Sequence, residues 1–334
     1  MRHNAPMLDN VTASLRQAVA QQVRQLAGDS RAALDFTQPV GDPGWFGPDS
    51  VAWRVHADFV AMMTGGIGAL LLQALHPLAL AAVWDYSDFR DDLRGRLHRT
   101  ALFIATTTYG PCAAAQDAVE RVRAIHAQVR GVAPDGRSYS ADDPHLLSFI
   151  HVAEVYSFVT AYDWLMPAHS AGSRPTGPAA LSLRERDAYV AEMARVPLAL
   201  GATEVPHDWA ALLAQLESYR PELEGGPRPQ AILRMLRGMS RQPPGQTAAE
   251  SAMRRLQAAL GGRLSAVPLH LMMTAATALL PPWAQPLYAL PAPHPLQLAP
   301  TRTALRTAVP LMRWALRDGV AAQARLRLQA PPCA

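Results

Sequence analysis

The chain has 334 residues, of which 17% are charged and 49% are hydrophobic, so it is long and apolar enough to bury a full core and is not disordered. It contains no lysine, which excludes Schiff-base and pyridoxal phosphate enzymes and P-loop nucleotide sites. The net charge of +4 comes from arginines interspersed with acids, without interleaved aromatic residues, so we expect no nucleic-acid partner.

The predicted elements are helical almost throughout. Apolar residues recur at helical spacing from Val11 to Leu26, and a loop rich in Gly, Pro and Asp then leads to a helix starting at Asp49 or Ser50. From Ser50 to Tyr86 the pattern is helical, with interruptions predicted at Gly65-Gly66 and Pro77. Further helices are predicted at about 88–108, 111–131, 144–166, 182–200, 207–219, 228–239, 247–260, 265–280 and 301–328.

No segment alternates apolar and polar residues in the manner of a strand, so the predicted fold class is all-α, a single large multi-helix orthogonal bundle. We expect residues 1–48 to form an N-terminal helix and loop that pack on the core, and residues 49–330 to form the main helical domain. Cys112 and Cys333 are too few for a disulfide framework, and residues 1–22 lack the apolar core of a signal peptide. A cytoplasmic location is the expectation.

Two uncharged stretches raise the alternative of membrane contact. Phe59 to Trp84 has the length of a spanning helix, but Gly65-Gly66, Gln73, His76 and Pro77 break it, so we interpret it as a buried core helix. Ser265 to Thr301 carries too many prolines for a spanning helix. No transmembrane span is expected, and peripheral contact with a membrane stays open.

The histidines do not match a common metal motif. No HExxH is present, and the two cysteines stand too far apart for a thiolate zinc site. His151 and Glu154 have the i, i+3 spacing that a carboxylate-bridged di-iron bundle uses, but that site needs a second copy and two more glutamates. No second copy is visible, so the pair does not predict a di-iron centre.

His126 belongs to a segment with arginines one turn away on each side, Arg123 and Arg130. It lies at the edge of an apolar helical stripe, where a core histidine bonded to a carbonyl is the plain interpretation. The two flanking cations favour a nearby anion, and haem propionates are such a group. Ligation of a haem iron by His126 is the second interpretation.

Arg96 and Thr100 are spaced i and i+4 on the helix that leads into Thr106. A solvated arginine beside a capping threonine is the plain interpretation. Apolar Leu102, Phe103 and Ile104 follow at once, however, and an arginine taken inside with them must have a partner. The spacing is compatible with a role for Arg96 in polarising dioxygen or in fixing a propionate, and does not choose between the two.

These motifs together resemble the catalytic domain shared by the latex-clearing-protein rubber oxygenases and the MpaB-type oxygenases of fungal mycophenolate biosynthesis. The resemblance is dense from Trp53 to Tyr162 and recurs weakly at 277–283 and 288–290. It rests on Gln-Ala-Leu-His-Pro at 73–77, the Arg96/Thr100 pair, the Arg123/His126/Arg130 segment followed by Gly131, and the later His151.

The resemblance implies an all-helical fold enclosing a b-type haem, with His126 as the proximal iron ligand and dioxygen as co-substrate. It also implies functional roles for Arg96 and Thr100 and structural or haem-supporting roles for Arg123 and Arg130. Rubber oxygenases carry a lysine just before the threonine, able to occupy the distal side of the iron, where this chain has Arg99. A guanidinium stays protonated, so distal lysine ligation is excluded and rubber itself is a doubtful substrate.

The predicted function is therefore a haem b-dependent oxygenase acting on an apolar small molecule, olefinic or terpenoid-like. The alternatives are a haem-binding sensor or carrier without turnover, and a cofactor-free helical protein at a membrane surface. We interpret His76 as a buried histidine that donates to the backbone opened by Pro77, and His151 as a neighbour of the haem pocket. The oligomeric state is left open.

Overall fold

The protein is described here by a computed structural model, which places residue 16 and residues 34–168, 179–241 and 267–329. Its α-helices are α1 Val51–His56, α2 Phe59–Gln73, α3 Pro77–Tyr86, α4 Leu93–Tyr109, α5 Cys112–His126, α6 Pro144–Leu165, α7 Leu183–Met193, α8 Arg195–Leu200, α9 Trp209–Ser218, α10 Pro227–Arg241, α11 Val267–Ala278, α12 Pro295–Ala315 and α13 Val320–Gln329. Short 3-10 helices lie at Asp88–Arg90, Arg220–Glu222 and Pro286–Tyr288, and β1 Arg130–Val132 pairs with β2 Ser138–Ser140. The all-α fold class is confirmed.

Side-chain caps explain why several helices begin where they do. Ser50 accepts a hydrogen bond from the Trp53 amide at the start of α1, and Asp58 and Asp92 cap α2 and α4 in the same way. At α7, Ser182 and Glu185 form a reciprocal capping box. Each cap supplies a partner for an amide that the first helical turn leaves unbonded.

The centre of the fold is the contact between α2 and α6, around which α11 and α12 also pack. The uncharged stretch thus forms core helices, and its apolar side chains, such as Leu71, Leu72 and Leu75, are buried. Among the described residues, no single helix is long and apolar enough to cross a membrane. Of the helices that the structure describes, α2 and α3 reach that length and composition only when taken together, and they are bent by 104° where they meet.

The predicted interruption at Gly65-Gly66 is wrong, because α2 runs through both glycines without a break. Gly65 instead lets two helices approach closely: a Cβ there would lie 2.7 Å from Phe158 Cδ1 and 2.9 Å from the Ser157 carbonyl oxygen on α6. A Cβ on Gly66 would have only the Phe158 ring edge at 3.9 Å. Gly65 therefore allows α2 and α6 to pack closely and does not end the helix.

Three other predicted boundaries need correction. The helix predicted to reach residue 131 ends at His126, and the chain then enters the hairpin, so Arg130 lies in β1. The segment 182–200 is two helices because Pro197 cannot donate to the Met193 carbonyl. The segment predicted at 301–328 begins earlier, at Pro295, and is divided between α12 and α13. The helix predicted at 247–260, and that at 11–26 except Arg16, lie outside the described residues.

The two-stranded hairpin packs against α3. Gly131 pairs with Tyr139 across the hairpin, and a Cβ on Gly131 would lie 2.5 Å from the Tyr139 hydroxyl oxygen. The glycine therefore leaves room for the tyrosine, whose hydroxyl donates to Asp85 Oδ2 on α3 at 2.7 Å. On the same helix, the Tyr86 hydroxyl donates to the Arg130 carbonyl oxygen at 2.6 Å. These contacts hold the segment after α5 against the end of α3.

Candidate functional site

Most of the predicted site residues come together where the end of α3, the first half of α4, the end of α5 and the hairpin meet. Helices α4 and α5 pack on each other, and the hairpin joins them to α3 through Tyr86 and Tyr139. This places Ser87, Arg96, His126 and Asp142 in one region. The region carries both charged and apolar side chains and is only partly shielded from solvent.

His126 is the last residue of α5, and its imidazole is half-buried. Its Nδ1 atom is enclosed by protein and has no hydrogen-bond partner among the described residues. Burial lowers the pKa of His126 below its ordinary value, the Asp142 carboxylate opposes that shift, and the Arg96 guanidinium adds to it. The carbonyl-bonded core histidine is therefore not what the structure contains. The imidazole lies within electrostatic reach of the Asp142 carboxylate and the Arg96 guanidinium.

Arg96 reaches back from α4 to the end of α3, where its Nη1 donates to Ser87 Oγ at 3.0 Å. Burial is the main cause that lowers its pKa, and Arg99 adds to the effect. No carboxylate among the described residues lies within ion-pair distance of Arg96, although burying an unpaired guanidinium is unfavourable. A half-buried cation of this kind favours the approach of an anion.

Thr100 lies one turn after Arg96 on α4, and both Thr100 and Arg99 are exposed. Arg99 Nη1 lies 3.9 Å from Asp92 Oδ2, at the start of the same helix. The apolar residues that follow are only half-buried, and α4 becomes fully buried from Thr106 onward. The expectation that Leu102, Phe103 and Ile104 carry this part of the helix into the interior is thus met only in part.

Arg123 and Arg130 occupy different surroundings. Arg123 is exposed, one turn before His126 on α5. Arg130 is also exposed, and its Nη2 donates to Asp142 Oδ2 at 2.9 Å. Because α5 ends at His126, the two arginines do not bracket the imidazole on one helix, and a protein carboxylate already accompanies Arg130. Their roles in holding a cofactor stay predictions.

A family model described as the catalytic domain of ER-bound oxygenase mpaB/B′ and rubber oxygenase matches residues 53–325, which is most of the chain. The chain belongs to this family. The resemblance inferred from the sequence motifs is confirmed, and membership of an oxygenase catalytic-domain family supports an enzyme. The matched range contains Arg96, Thr100, Arg123, His126 and Arg130. Comparison with curated proteins and with solved structures gives no significant match.

Two ionisable groups on α6 have shifted pKa values in this oxygenase-family domain, His151, which is buried, and Glu154, which is half-buried. Burial lowers the pKa of His151 to about 3 and raises the pKa of Glu154 to about 7. His151 Nε2 has no hydrogen-bond partner in the described part of the chain. His56, another buried histidine, has a partner at each ring nitrogen: Nδ1 lies 2.8 Å from Thr108 Oγ1 and Nε2 lies 2.8 Å from the Tyr189 hydroxyl. His151 is buried in the core, and its predicted place beside a haem pocket stays a prediction.

Sequence reasoning missed a second cluster of ligating side chains, His76, His145 and Glu222. His76 is buried as predicted, but the predicted donation to the backbone is wrong, because neither ring nitrogen makes a hydrogen bond and Nε2 faces Glu222 Oε2 at 3.4 Å. His145 and Glu222 come from segments 77 residues apart, and no short motif joins them. Only the His76 signal was visible in the sequence, as a histidine before a proline.

Proposed function

We propose that this chain is a haem b-dependent oxygenase that acts with dioxygen on an apolar substrate, olefinic or terpenoid-like, with His126 as the proximal iron ligand. The observation that carries the proposal is the pairing of an imidazole with an enclosed, unbonded Nδ1 and a neighbouring half-buried guanidinium with no carboxylate partner in the described chain. Family membership in an oxygenase catalytic domain supports the reaction class.

The residues present fit a haem in three respects. An imidazole free of hydrogen bonds at Nδ1 is available for a metal. Arg96 offers a guanidinium that suits a carboxylate such as a propionate. Leu97 and Ile104 on α4 pack only partly on the core, which leaves apolar surface beside Arg96. When bound, the haem would supply the dioxygen activation and the redox chemistry.

The residues of the protein would then hold the haem, orient the dioxygen and shield the substrate from water. His126 would supply the ligating nitrogen, and the Asp142 carboxylate, which acts electrostatically on its ring, would increase the basicity of the ligand. Arg96 would meet a propionate or orient dioxygen, with Thr100 one turn further along α4. Arg123 on α5 and Arg130 on β1 would support the cofactor, Arg130 through its ion pair with Asp142. The half-buried apolar side chains of α4 would exclude water from the substrate.

The first test is the optical spectrum of the protein purified after haem-supplemented expression. We expect a Soret band in the wild type, its loss or a clear shift in His126→Ala, and an unchanged band in His270→Ala, which removes an exposed histidine from α11. A colourless wild type, or a His126→Ala protein with the wild-type band, would contradict the proposal. Circular dichroism checks that both variants are folded.

The second test separates the two roles of Arg96. In Arg96→Ala we expect the Soret band to remain and dioxygen uptake with a panel of olefinic terpenoids to fall. Loss of haem from this variant would instead assign Arg96 to the propionates. A stable six-coordinate iron with no product from any olefin would favour the sensor or carrier over the oxygenase.

A further inference from the structure

A cluster of ligating side chains lies outside the candidate haem site, where the bend between α2 and α3 meets the start of α6 and the 3-10 helix Arg220–Glu222. It consists of His76, His145 and Glu222, and one ligating atom of each lies within 4.8 Å of the other two. None of these residues has a role in the proposed function. We propose that the three side chains form a binding site for a divalent transition-metal ion of the Zn²⁺ class.

His76 is the side chain that points most directly to a metal. It is completely buried, its Nδ1 has no hydrogen-bond partner in the described structure, and its Nε2 has only the Glu222 carboxylate, 3.4 Å away and outside hydrogen-bond geometry. It occupies the N-cap position of α3 but does not use its side chain to cap that helix. A buried polar group without a partner is unfavourable unless something satisfies it. A metal ion coordinated by Nε2 would satisfy that nitrogen.

The distances within the cluster match those of a small coordination sphere. His76 Nε2 lies 3.4 Å from Glu222 Oε2, and His145 Nε2 lies 2.9 Å from Glu222 Oε1 and 3.0 Å from Oε2. With zinc–ligand bonds of about 2.0–2.1 Å, the ligand atoms of a tetrahedral site stand roughly 3.3 Å apart. Small shifts of the Glu222 carboxylate would therefore admit an ion.

Contacts independent of any metal hold the three segments in place. The Glu224 amide donates to the Leu75 carbonyl oxygen at 2.8 Å, which fixes the segment after Glu222 beside the α2–α3 bend. The Tyr219 hydroxyl donates to the His145 carbonyl oxygen at 3.1 Å. Tyr219 and His76 both contact the Phe149 ring. The ligands are thus preorganised, which limits the entropy lost when an ion binds.

Charge and exposure define the kind of site. Two imidazoles and one carboxylate suit Zn²⁺ and similar ions and do not suit Ca²⁺ or Mg²⁺, which prefer oxygen ligands. The cation Arg137 lies nearby. Its Nη2 atom forms ion pairs with Asp135 Oδ2 at 2.6 Å and with Glu224 Oε1 at 3.8 Å. The His145 and Glu222 side chains are 50% and 35% exposed. Three protein ligands beside solvent leave the fourth position to water.

The test is calorimetric titration of Zn²⁺ into the tag-free, full-length protein after dialysis against a chelator. We expect one ion per chain. Glu222→Gln and His145→Ala should weaken binding by more than the 10- to 100-fold that outer-shell partners contribute, because each removes a direct ligand. His270→Ala, on α11, is the matched control and should bind like the wild type. Co²⁺ in place of Zn²⁺ should give the visible bands of a tetrahedral site in the wild type and lose them in Glu222→Gln.

Absence of Zn²⁺ binding by the wild type, or binding by Glu222→Gln and His145→Ala equal to the wild type, would overturn the proposal. The Soret spectrum is recorded on the same samples. Because the cluster shares no residue with the candidate haem site, we expect both cluster variants to keep the wild-type Soret band. A failure of the haem proposal would leave the Zn²⁺ result unchanged, so the two outcomes are distinguishable.

Discussion

At the scale of single residues, the buried ionisable groups decide how stability depends on pH. Burial lowers the pKa of His56 and of His151 to about 3, so each binds a proton more readily in the unfolded chain than in the folded one. Their contribution to stability is complete above the ordinary histidine pKa of 6.5 and is lost as the pH falls toward 3. Glu154 gives the opposite dependence, because its raised pKa makes the folded state less stable as the pH rises.

Glu154→Gln isolates that opposite contribution. Burial raises the pKa of Glu154 from 4.5 to about 7, so the folded protein disfavours the carboxylate, and the penalty grows as the pH rises through that interval. The variant should raise the free energy of unfolding by up to about 3 kcal/mol at pH 8 and by less than about 1 kcal/mol at pH 5. Urea unfolding at the two pH values checks this, with exposed Glu217→Gln as the control. An equal effect at both values would show that the carboxyl is not buried.

At the scale of elements, the crossing of α2 and α6 depends on one glycine. Gly65→Ala would put a Cβ 2.7–2.9 Å from Phe158 and Ser157, which should lower the free energy of unfolding by about 1–3 kcal/mol. Gly66→Ala is the matched control on the same helix, because its Cβ would meet only the edge of Phe158 at 3.9 Å. Alanine has the higher helix propensity, so Gly66→Ala should stabilise by about 0.5–1 kcal/mol. Similar melting temperatures for the two variants would argue against close packing at Gly65.

At the scale of elements, the candidate site could be predicted only in part from the sequence. The identities and spacing of Arg96 and His126 were visible in the sequence, and the structure brings them within electrostatic reach of each other. The end of α5 at His126 was not visible, since Val129 and Arg130 continue the helical pattern. Pairing of Gly131 with Tyr139 draws the chain into the hairpin instead. The partner of Arg130, Asp142, depends on that hairpin.

At the scale of the whole molecule, the first and last described segments are tied together by one buried arginine on α13. Arg327 donates to the Asp42 carbonyl oxygen at 2.7 Å, to that of Phe36 at 3.0 Å and to that of Gly110 at 3.4 Å. The guanidinium thus satisfies carbonyls from the loop before α1 and from the end of α4. Phe36 is also buried with Trp53 and Tyr109 in one apolar cluster.

Arg327→Met should therefore loosen both ends of the described chain at once. The change leaves three carbonyl oxygens without their donor, and the expected loss is on the order of 3 kcal/mol. Limited proteolysis should cut faster both in the loop before α1 and in α13, and the melting temperature should fall. Arg325→Met is the matched control, because Arg325 lies on the same helix and is exposed. Faster cutting at one end only would contradict the proposed link.

The sequence by itself determined the helical class and the family, and it predicted the residues of the candidate haem site. Those properties follow from apolar periodicity and from short motifs, in which the informative residues are close neighbours along the chain. Only the tertiary structure decided which groups are left without partners, among them His126 Nδ1 and His76 Nδ1. It also assembled His76, His145 and Glu222. Burial and long-range proximity arise from the packing of distant segments, and no local pattern encodes them.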